Sequence, residues 1–212
     1  MSDQQCSRLS WTDPVGQAQQ VFRLALTALS RPAQAHTFEP VPVDAAADEL
    51  PAGLSPELAA LALALCDNET TVWLAPGLDT EDVRAWFRFH CGTVLVAEPA
   101  RAAFAFVPGV EALPDLSCFH QGEAEYPDRS TTICLGGIEE RETAAITASG
   151  PGIVGNCDFS CRMPAGFLAQ WQRNHEQFPL GVDMLLCGPG RLTGLPRTTC
   201  LSPAADEVSQ CM

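Results

Sequence analysis

An arginine and a carboxylate in two separated segments near the carboxyl end of the sequence are the residues best suited to bind an anion. Arg197 has a planar guanidinium that suits a carboxylate or a phosphate, and Thr198 and Thr199 place two hydroxyls beside it. Asp183, which precedes an apolar run, is the expected partner of Arg197. The pattern fits an anion-binding cleft, and it also fits an internal or interfacial ion pair.

A second polar cluster, Asp67 to Thr70, joins an expected helix to an expected strand. Its carboxylates, Asp67 and Glu69, form an acid pair if they face a cleft at the strand edge, and Thr70 adds a hydroxyl. The alternative is turn chemistry, because an Asx side chain bonds to the backbone two residues on.

His90 is a third candidate, as an acid or a base. It falls at the same helical phase as Val83, Trp86 and Phe87, which also makes it a candidate for packing in the core. Cys91 is adjacent, but neighbouring helical residues point about 100° apart, which is poor geometry for a thiol and imidazole pair. No position in the sequence shows a nucleophile together with a base and an orienting group.

Gly150 and Gly152 flank Pro151 directly after an expected strand. A glycine-rich turn that leaves a strand can expose backbone N–H groups to an anion. The spacing matches neither a phosphate loop nor a dinucleotide fingerprint, so a simple turn is the favoured interpretation.

The cysteines predict neither a metal centre nor a disulfide scaffold. Cys157 with Cys161 and Cys118 with His120 are close pairs, but they lack the regular spacing of a structural zinc site, so no metal is expected. The share of cysteine in the chain is below that of small secreted frameworks. Three cysteines in or beside apolar runs are expected to be reduced core residues: Cys66, Cys134 and Cys187.

Composition excludes several classes of protein. All 12 basic residues are arginine, so the chain has no lysine for a pyridoxal phosphate Schiff base or for a Walker phosphate loop. The 26 acidic residues bring the formal charge to −14, which argues against binding to nucleic acid or to an anionic membrane. The longest apolar run, around Leu58 to Leu65, is far shorter than the roughly 20 residues of a membrane span. Residues 1–10 lack a signal-peptide pattern, and we expect a cytoplasmic protein.

Four helices are expected to position these residues. The first has Asp13 as its N-cap, the second opens at Ser55, the third is capped by Asp79, and the fourth spans about Pro164 to His175. The residues expected to face the core are, helix by helix, Ala18, Phe22, Ala25, Leu26 and Leu29; Leu58, Leu61, Ala62 and Leu65; Val83, Trp86 and Phe87; and Phe167, Leu168 and Trp171.

Runs rich in β-branched or aromatic residues predict the strands. They are Thr71 to Ala75, Thr93 to Ala97, Ala103 to Val107, Ser130 to Leu135, Thr143 to Ala148, Val182 to Cys187 and Leu192 to Thr199. The order of elements indicates one α/β domain over residues 13–200, with a mixed β-sheet flanked by helices. Residues 1–12 and 201–212 are expected to be mobile ends.

Five separated segments, in this order, resemble the PhnH family, which supplies one component of the bacterial carbon–phosphorus lyase core complex that breaks down phosphonates. They are Gln19 to Arg23 with Ser30 to Pro32, Asp67 to Leu74, Arg88 to His90, Phe178 to Asp183 and Leu195 to Thr199. The resemblance covers most of the chain. One departure is Ala33, which stands after Ser30, Arg31 and Pro32 where the family pattern has glycine.

The resemblance implies a fold similar to the large domain of pyridoxal-phosphate-dependent transferases, in a family without the cofactor. It implies a core complex with subunits G, I and J of the lyase system. Together with the L component, a transient partner, that complex attaches a phosphonate to the ribose of ATP and displaces adenine. The J component then cleaves the carbon–phosphorus bond. A homodimer of the isolated chain is a further expectation.

The resemblance therefore implies a non-catalytic or accessory subunit that supports formation of alpha-D-ribose 1-methylphosphonate 5-triphosphate from ATP and methylphosphonate. The alternative is an anion-binding, nucleotide-binding or catalytic subunit with a cleft around Arg197, Asp183, Asp67 and His90.

Overall fold

A computed structural model describes residues 13–39, 50–138 and 146–204. The helices in these ranges are α1 Pro14–Ser30, α2 Pro56–Leu65, α3 Glu81–His90 and α4 Phe167–Glu176. The strands are β1 Ala35–Thr37, β2 Thr71–Leu74, β3 Val94–Leu95, β4 Phe104–Val107, β5 Thr132–Leu135, β6 Ile146–Ser149, β7 Cys157–Phe159, β8 Asp183–Gly188, β9 Arg191–Leu195 and β10 Cys200–Pro203. None of the described helices combines the length and apolarity that a membrane crossing requires.

Side-chain caps fix where the first three helices begin. Asp13 and Ser55 each accept a hydrogen bond from a backbone N–H one turn on, as expected. The N-cap of α3 is Thr80, so the prediction of Asp79 was wrong. The Asp79 carboxylate binds the guanidinium of Arg84 through both oxygens, and the hydroxyl of the next residue therefore caps the helix.

The main sheet has seven strands in the order β1-β9-β8-β5-β4-β2-β3. The neighbouring strands β3, β2, β4, β5 and β8 run parallel, and β9 alone runs in the opposite direction, between β8 and β1. The predicted mixed sheet flanked by helices is therefore confirmed. One core lies between the sheet and α1, α2 and α3, and it includes Leu58, Phe87 and Leu185. A second core lies under α4 and includes Trp171 and Met184.

The expected strand Leu192 to Thr199 is instead two strands that belong to different sheets. Strand β9 ends at Leu195, and a turn closed by the Thr199 N–H donating to the Pro196 carbonyl at 2.8 Å leads into β10. Pro196 has no N–H to continue the ladder. Strand β10 pairs with β6 in a three-stranded antiparallel sheet, β10-β6-β7.

The second sheet also shows where the described fold ends at its carboxyl side. Strand β10 runs through Pro203, so the described fold continues past residue 200, where the mobile tail was expected to begin. Residues 1–12 and 205–212 lie outside the described residues, as do residues 143–145 at the start of the expected strand that became β6.

The buried face of α1 differs from the predicted one. The helix buries Val21, Ala25 and Ala28, and it leaves Phe22 and Leu26 exposed by 45% and 52%. Both sides of α1 are apolar, and the side with the smaller residues packs on the sheet.

Ala33 explains why the family pattern has glycine at this position. Its φ is +62°, and among the described residues it is the one non-glycine residue with a positive φ. An L-residue in this conformation costs roughly 1–2 kcal/mol, whereas glycine adopts it freely. Ala33 thus holds a backbone conformation that glycine adopts without strain.

Candidate functional site

Arg197 and Asp183 form the ion pair that the sequence predicts. The Nε of Arg197 donates to Asp183 Oδ1 at 3.0 Å, Nη2 donates to Oδ2, and the Arg197 backbone N–H donates to Oδ1 at 2.7 Å. The other guanidinium hydrogens are directed to the carbonyl oxygens of Pro127 at 2.9 Å and Pro179 at 3.2 Å, and to the hydroxyl of Ser130. All five donors of the guanidinium therefore have protein acceptors, which leaves none for an anionic ligand.

The residues beside Arg197 serve packing in the same way. Thr199 is fully buried, and its carbonyl accepts a hydrogen bond from Trp171 Nε1 at 2.8 Å. Gly150 passes the Thr198 carbonyl so closely that a Cβ atom there would lie 2.9 Å from that oxygen, and Gly152 packs against Pro32. These two glycines allow backbone segments to approach each other closely. This packing explains why glycine is present at both positions, without a role in binding an anion.

Asp67, Glu69 and Thr70 form an Asx turn before β2. Asp67 Oδ1 accepts the N–H groups of Glu69 at 2.9 Å and Thr70 at 3.1 Å. The Thr70 hydroxyl lies 3.3 Å from that of Thr93, which joins this turn to the loop after α3. Asp67 and Glu69 are both exposed, so they do not enclose a ligand.

His90 packs as an aromatic side chain at the end of α3. Its ring lies 4.8 Å from that of Trp86 and 4.9 Å from that of Phe89, measured between ring centroids. Burial lowers the pKa of His90, which favours the neutral ring. The packing interpretation thus accounts for its helical phase.

The structure divides the predicted site residues between two places along one edge of the sheet. The Asp67 turn and His90 adjoin β2, and Asp183 with Arg197 lies at β8. Strands β4 and β5 separate β2 from β8, which corresponds to roughly 14 Å at the usual spacing of strands. Both places are at the amino ends of the parallel strands, whereas open α/β sheets bind ligands outside the carboxyl ends.

A cavity of about 570 Å³ does lie at the carboxyl end of β8. Its lining includes Gln34, Ile138, Cys157, Asp158 and Arg191. The site residues predicted from the sequence are absent from this lining. No sequence pattern marks the cavity, because its walls come from both sheets and meet only in the fold.

One arrangement that the sequence did not reveal is a hydrogen-bonded thiol and imidazole. Cys200 Sγ lies 3.0 Å from His175 Nε2, and His175 Nδ1 lies 2.9 Å from the Arg197 carbonyl. The sequence alone showed no nucleophile together with a base and an orienting group, whereas the fold brings Cys200, His175 and the Arg197 carbonyl together. The contact depends on the turn after β9, which brings β10 back beside α4.

The predicted core cysteines are confirmed as free, buried thiols. Cys66, Cys134 and Cys187 are each less than 9% exposed, and burial raises the pKa of all three. Burial likewise raises the pKa of Cys91 to about 12, which makes the thiol next to His90 unreactive at neutral pH. In the described ranges, no group of three or more His, Cys, Asp or Glu side chains converges on a metal-sized site.

The fold and its partly buried ion pair define an α/β protein whose polar clusters mainly hold the sheet together. The sequence matches the family described as bacterial phosphonate metabolism protein (PhnH) over residues 9–202, and the chain belongs to this family. It is 35% identical over 192 residues to alpha-D-ribose 1-methylphosphonate 5-triphosphate synthase subunit PhnH of Rhizobium meliloti (strain 1021). That match covers 90% of this chain and 92% of the relative. The family predicted from the sequence is confirmed.

Proposed function

We propose that the chain is an accessory subunit of the carbon–phosphorus lyase core complex. In this role it supports the formation of alpha-D-ribose 1-methylphosphonate 5-triphosphate from ATP and methylphosphonate. The observation that carries the proposal is the near full-length similarity to a synthase subunit, at 35% identity over 192 residues. The proposed partners are subunits G, I and J, with the L component bound transiently, and the proposed location is the cytoplasm.

The saturated hydrogen bonds of Arg197 support an accessory role. A phosphonate or a nucleotide triphosphate needs unpaired cationic donors, and this arginine directs every donor to the protein. The proposed fold relationship is to the large domain of pyridoxal-phosphate-dependent transferases, without the cofactor. A chain without lysine has no residue to form the Schiff base.

The outer face of α1 supports a role in assembly. Val15, Phe22 and Leu26 follow one another at spacings of seven and four residues, so they form one apolar stripe along the helix. Their exposed fractions are 69%, 45% and 52%. Although the whole chain has a charge of −14, α1 contains no acidic residue, and Arg23 is its only charged residue. An apolar, nearly uncharged helix face of this kind is typical of a protein interface. The partner proposed for this α1 stripe is another subunit of the core complex, and the isolated chain is proposed to use it as a homodimer.

Aspartate substitutions in the α1 stripe are expected to prevent assembly without unfolding the chain. The double variant Phe22→Asp/Leu26→Asp places two charges in the desolvated centre of the proposed interface, which we expect to weaken association at least about 100-fold. The measurement is co-purification of the tagged chain with co-expressed subunits G, I and J, followed by size-exclusion chromatography.

The matched control is Val154→Asp, a substitution of another exposed apolar residue, at 99% exposure, in the loop between β6 and β7 and outside the α1 stripe. It should assemble like the wild type. Wild-type recovery of the complex by the double variant would exclude the α1 stripe as the interface. Separate elution of the wild-type chain from G, I and J would overturn the proposed function itself.

A further inference from the structure

Cys200 and His175 differ from the other thiols and imidazoles in the described part of the chain because they are hydrogen-bonded to each other. Cys200 begins β10 and is exposed, and His175 lies in the last turn of α4. The distance from Sγ to Nε2 is 3.0 Å. Since the thiol is accessible and has a base within hydrogen-bond reach, the pair has the geometry of an activated nucleophile.

The Arg197 carbonyl sets the tautomer of this imidazole. A carbonyl oxygen only accepts, so His175 Nδ1, at 2.9 Å from it, carries a hydrogen and donates. In the neutral ring Nε2 then has a free lone pair and accepts the S–H of Cys200. This arrangement prepares Nε2 to take the thiol proton as Sγ attacks an electrophile.

The supports of the pair are rigid. Arg197, whose carbonyl holds His175, is itself anchored through its backbone and its side chain to Asp183. The residue before the thiol is held by Trp171, whose indole N–H donates to the Thr199 carbonyl at 2.8 Å. The partly buried ion pair thus holds the backbone that orients the imidazole.

Other cysteines in the described ranges lack this combination. Cys118 is exposed, yet no imidazole is hydrogen-bonded to it. Cys161 is buried, and its burial raises the pKa of its thiol to about 12. The contrast between Cys200 and Cys118 isolates the contribution of His175, because both thiols are open to solvent.

We propose that Cys200 is a site of reversible S-thiolation, at which His175 acts as the base and the co-reactant is the disulfide of a small thiol. The sulfur of Cys200 attacks one sulfur of that disulfide and forms a new S–S bond, while the original S–S bond breaks. The thiol proton passes to His175 Nε2 and then to the departing thiolate, which leaves as a free thiol. One disulfide is exchanged for another, so no further oxidant is needed.

The test uses the full chain with Cys6 and Cys211, which lie outside the described residues, replaced by serine. Glutathione disulfide is added at neutral pH, and peptide mass spectrometry follows the rate of adduct formation at each cysteine. We expect the first adduct at Cys200, its removal by dithiothreitol, and its loss in Cys200→Ser. The variant His175→Gln should slow modification at Cys200 by roughly tenfold or more, while leaving the rate at Cys118 unchanged.

Cys118→Ser is the matched control, and it should leave the rate at Cys200 unchanged. Faster modification of Cys118 than of Cys200, or an unchanged rate at Cys200 in His175→Gln, would overturn the proposal. The buried thiols of Cys134 and Cys187 report on folding, because they react only if a variant unfolds locally or globally and exposes them to solvent. If His175→Gln exposes them, the wild-type chain provides the test through the ratio of the modification rate at Cys200 to the rate at Cys118. A ratio near one overturns the proposal, and a ratio above about ten supports it.

Discussion

Replacement of Arg197 by alanine is expected to lower the free energy of unfolding by about 3 to 5 kcal/mol. The side chains of Arg197 and Asp183 are only 12% and 20% exposed. When the guanidinium is removed, the Asp183 carboxylate stays in the same place but loses the cation that it pairs with. The carbonyl groups of Pro127 and Pro179 also lose their donors. The unpaired Asp183 carboxylate, which is mostly shielded from water, accounts for most of the effect.

Equilibrium unfolding in urea, followed by tryptophan fluorescence, measures this loss. Arg84→Ala is the matched control, because Arg84 also binds an aspartate through both oxygens but with side chains that are 32% and 41% exposed. An exposed pair contributes at most about 1 kcal/mol, so Arg84→Ala should remain near the wild type. Equal losses in the two variants would show that the hydrogen bonds of Arg197 are not a structural anchor.

The same substitution separates the accessory role from an anion-binding role. If Arg197 holds the fold, Arg197→Ala loses assembly with G, I and J together with phosphonate-dependent growth. If Arg197 instead binds a substrate anion, growth is lost while the complex still forms. We expect the first result, because the structure directs each donor of Arg197 to a protein acceptor.

Local signals in the sequence located most of the elements and the buried face of α3, but they did not assign the buried face of α1. Asp13 and Ser55 mark helix starts because a cap acts within one turn of its own residue. The buried face of α1 is decided by the surface against which it packs, and that surface comes from distant β9. Where a helix is apolar on two sides, its periodicity cannot select one. Phe22 and Leu26 were therefore assigned to the core and are exposed.

The candidate site shows the same division. The pairing of Asp183 with Arg197 was predictable, because both residues adjoin expected neighbouring strands and a guanidinium is well suited to a carboxylate. The pairing of Cys200 with His175 was not predictable, because it requires the chain to leave one sheet at Pro196 and enter another. A single strand continued through Thr199 would place Cys200 at the end of the wrong sheet.

The close approach of α1 to the sheet leads to the second large effect, an expected loss of about 2 to 3 kcal/mol in Gly194→Ala. Gly194 lies in β9 directly beneath Ala28 of α1. A Cβ atom at Gly194 would collide with the Ala28 carbonyl and lie 2.6 Å from the Leu29 nitrogen. Backbone atoms cannot rotate away as a flexible side chain can, so the whole helix must move outward. That movement opens the core around Val21 and Ala25, where packing is close.

Gly109→Ala is the matched control for this prediction, because nothing lies within 4 Å of a Cβ atom there and its φ of −178° suits any residue. Its free energy of unfolding should stay within about 0.5 kcal/mol of the wild type. Urea unfolding gives the two values, and hydrogen exchange locates the change, with faster exchange expected in the amides of α1 in Gly194→Ala alone. Because the outer face of α1 is the proposed subunit interface, the displaced helix should also bind its partners less tightly. An unchanged stability in Gly194→Ala would mean that α1 does not rest on β9 at this glycine, and the exposure of the α1 stripe would then need another cause.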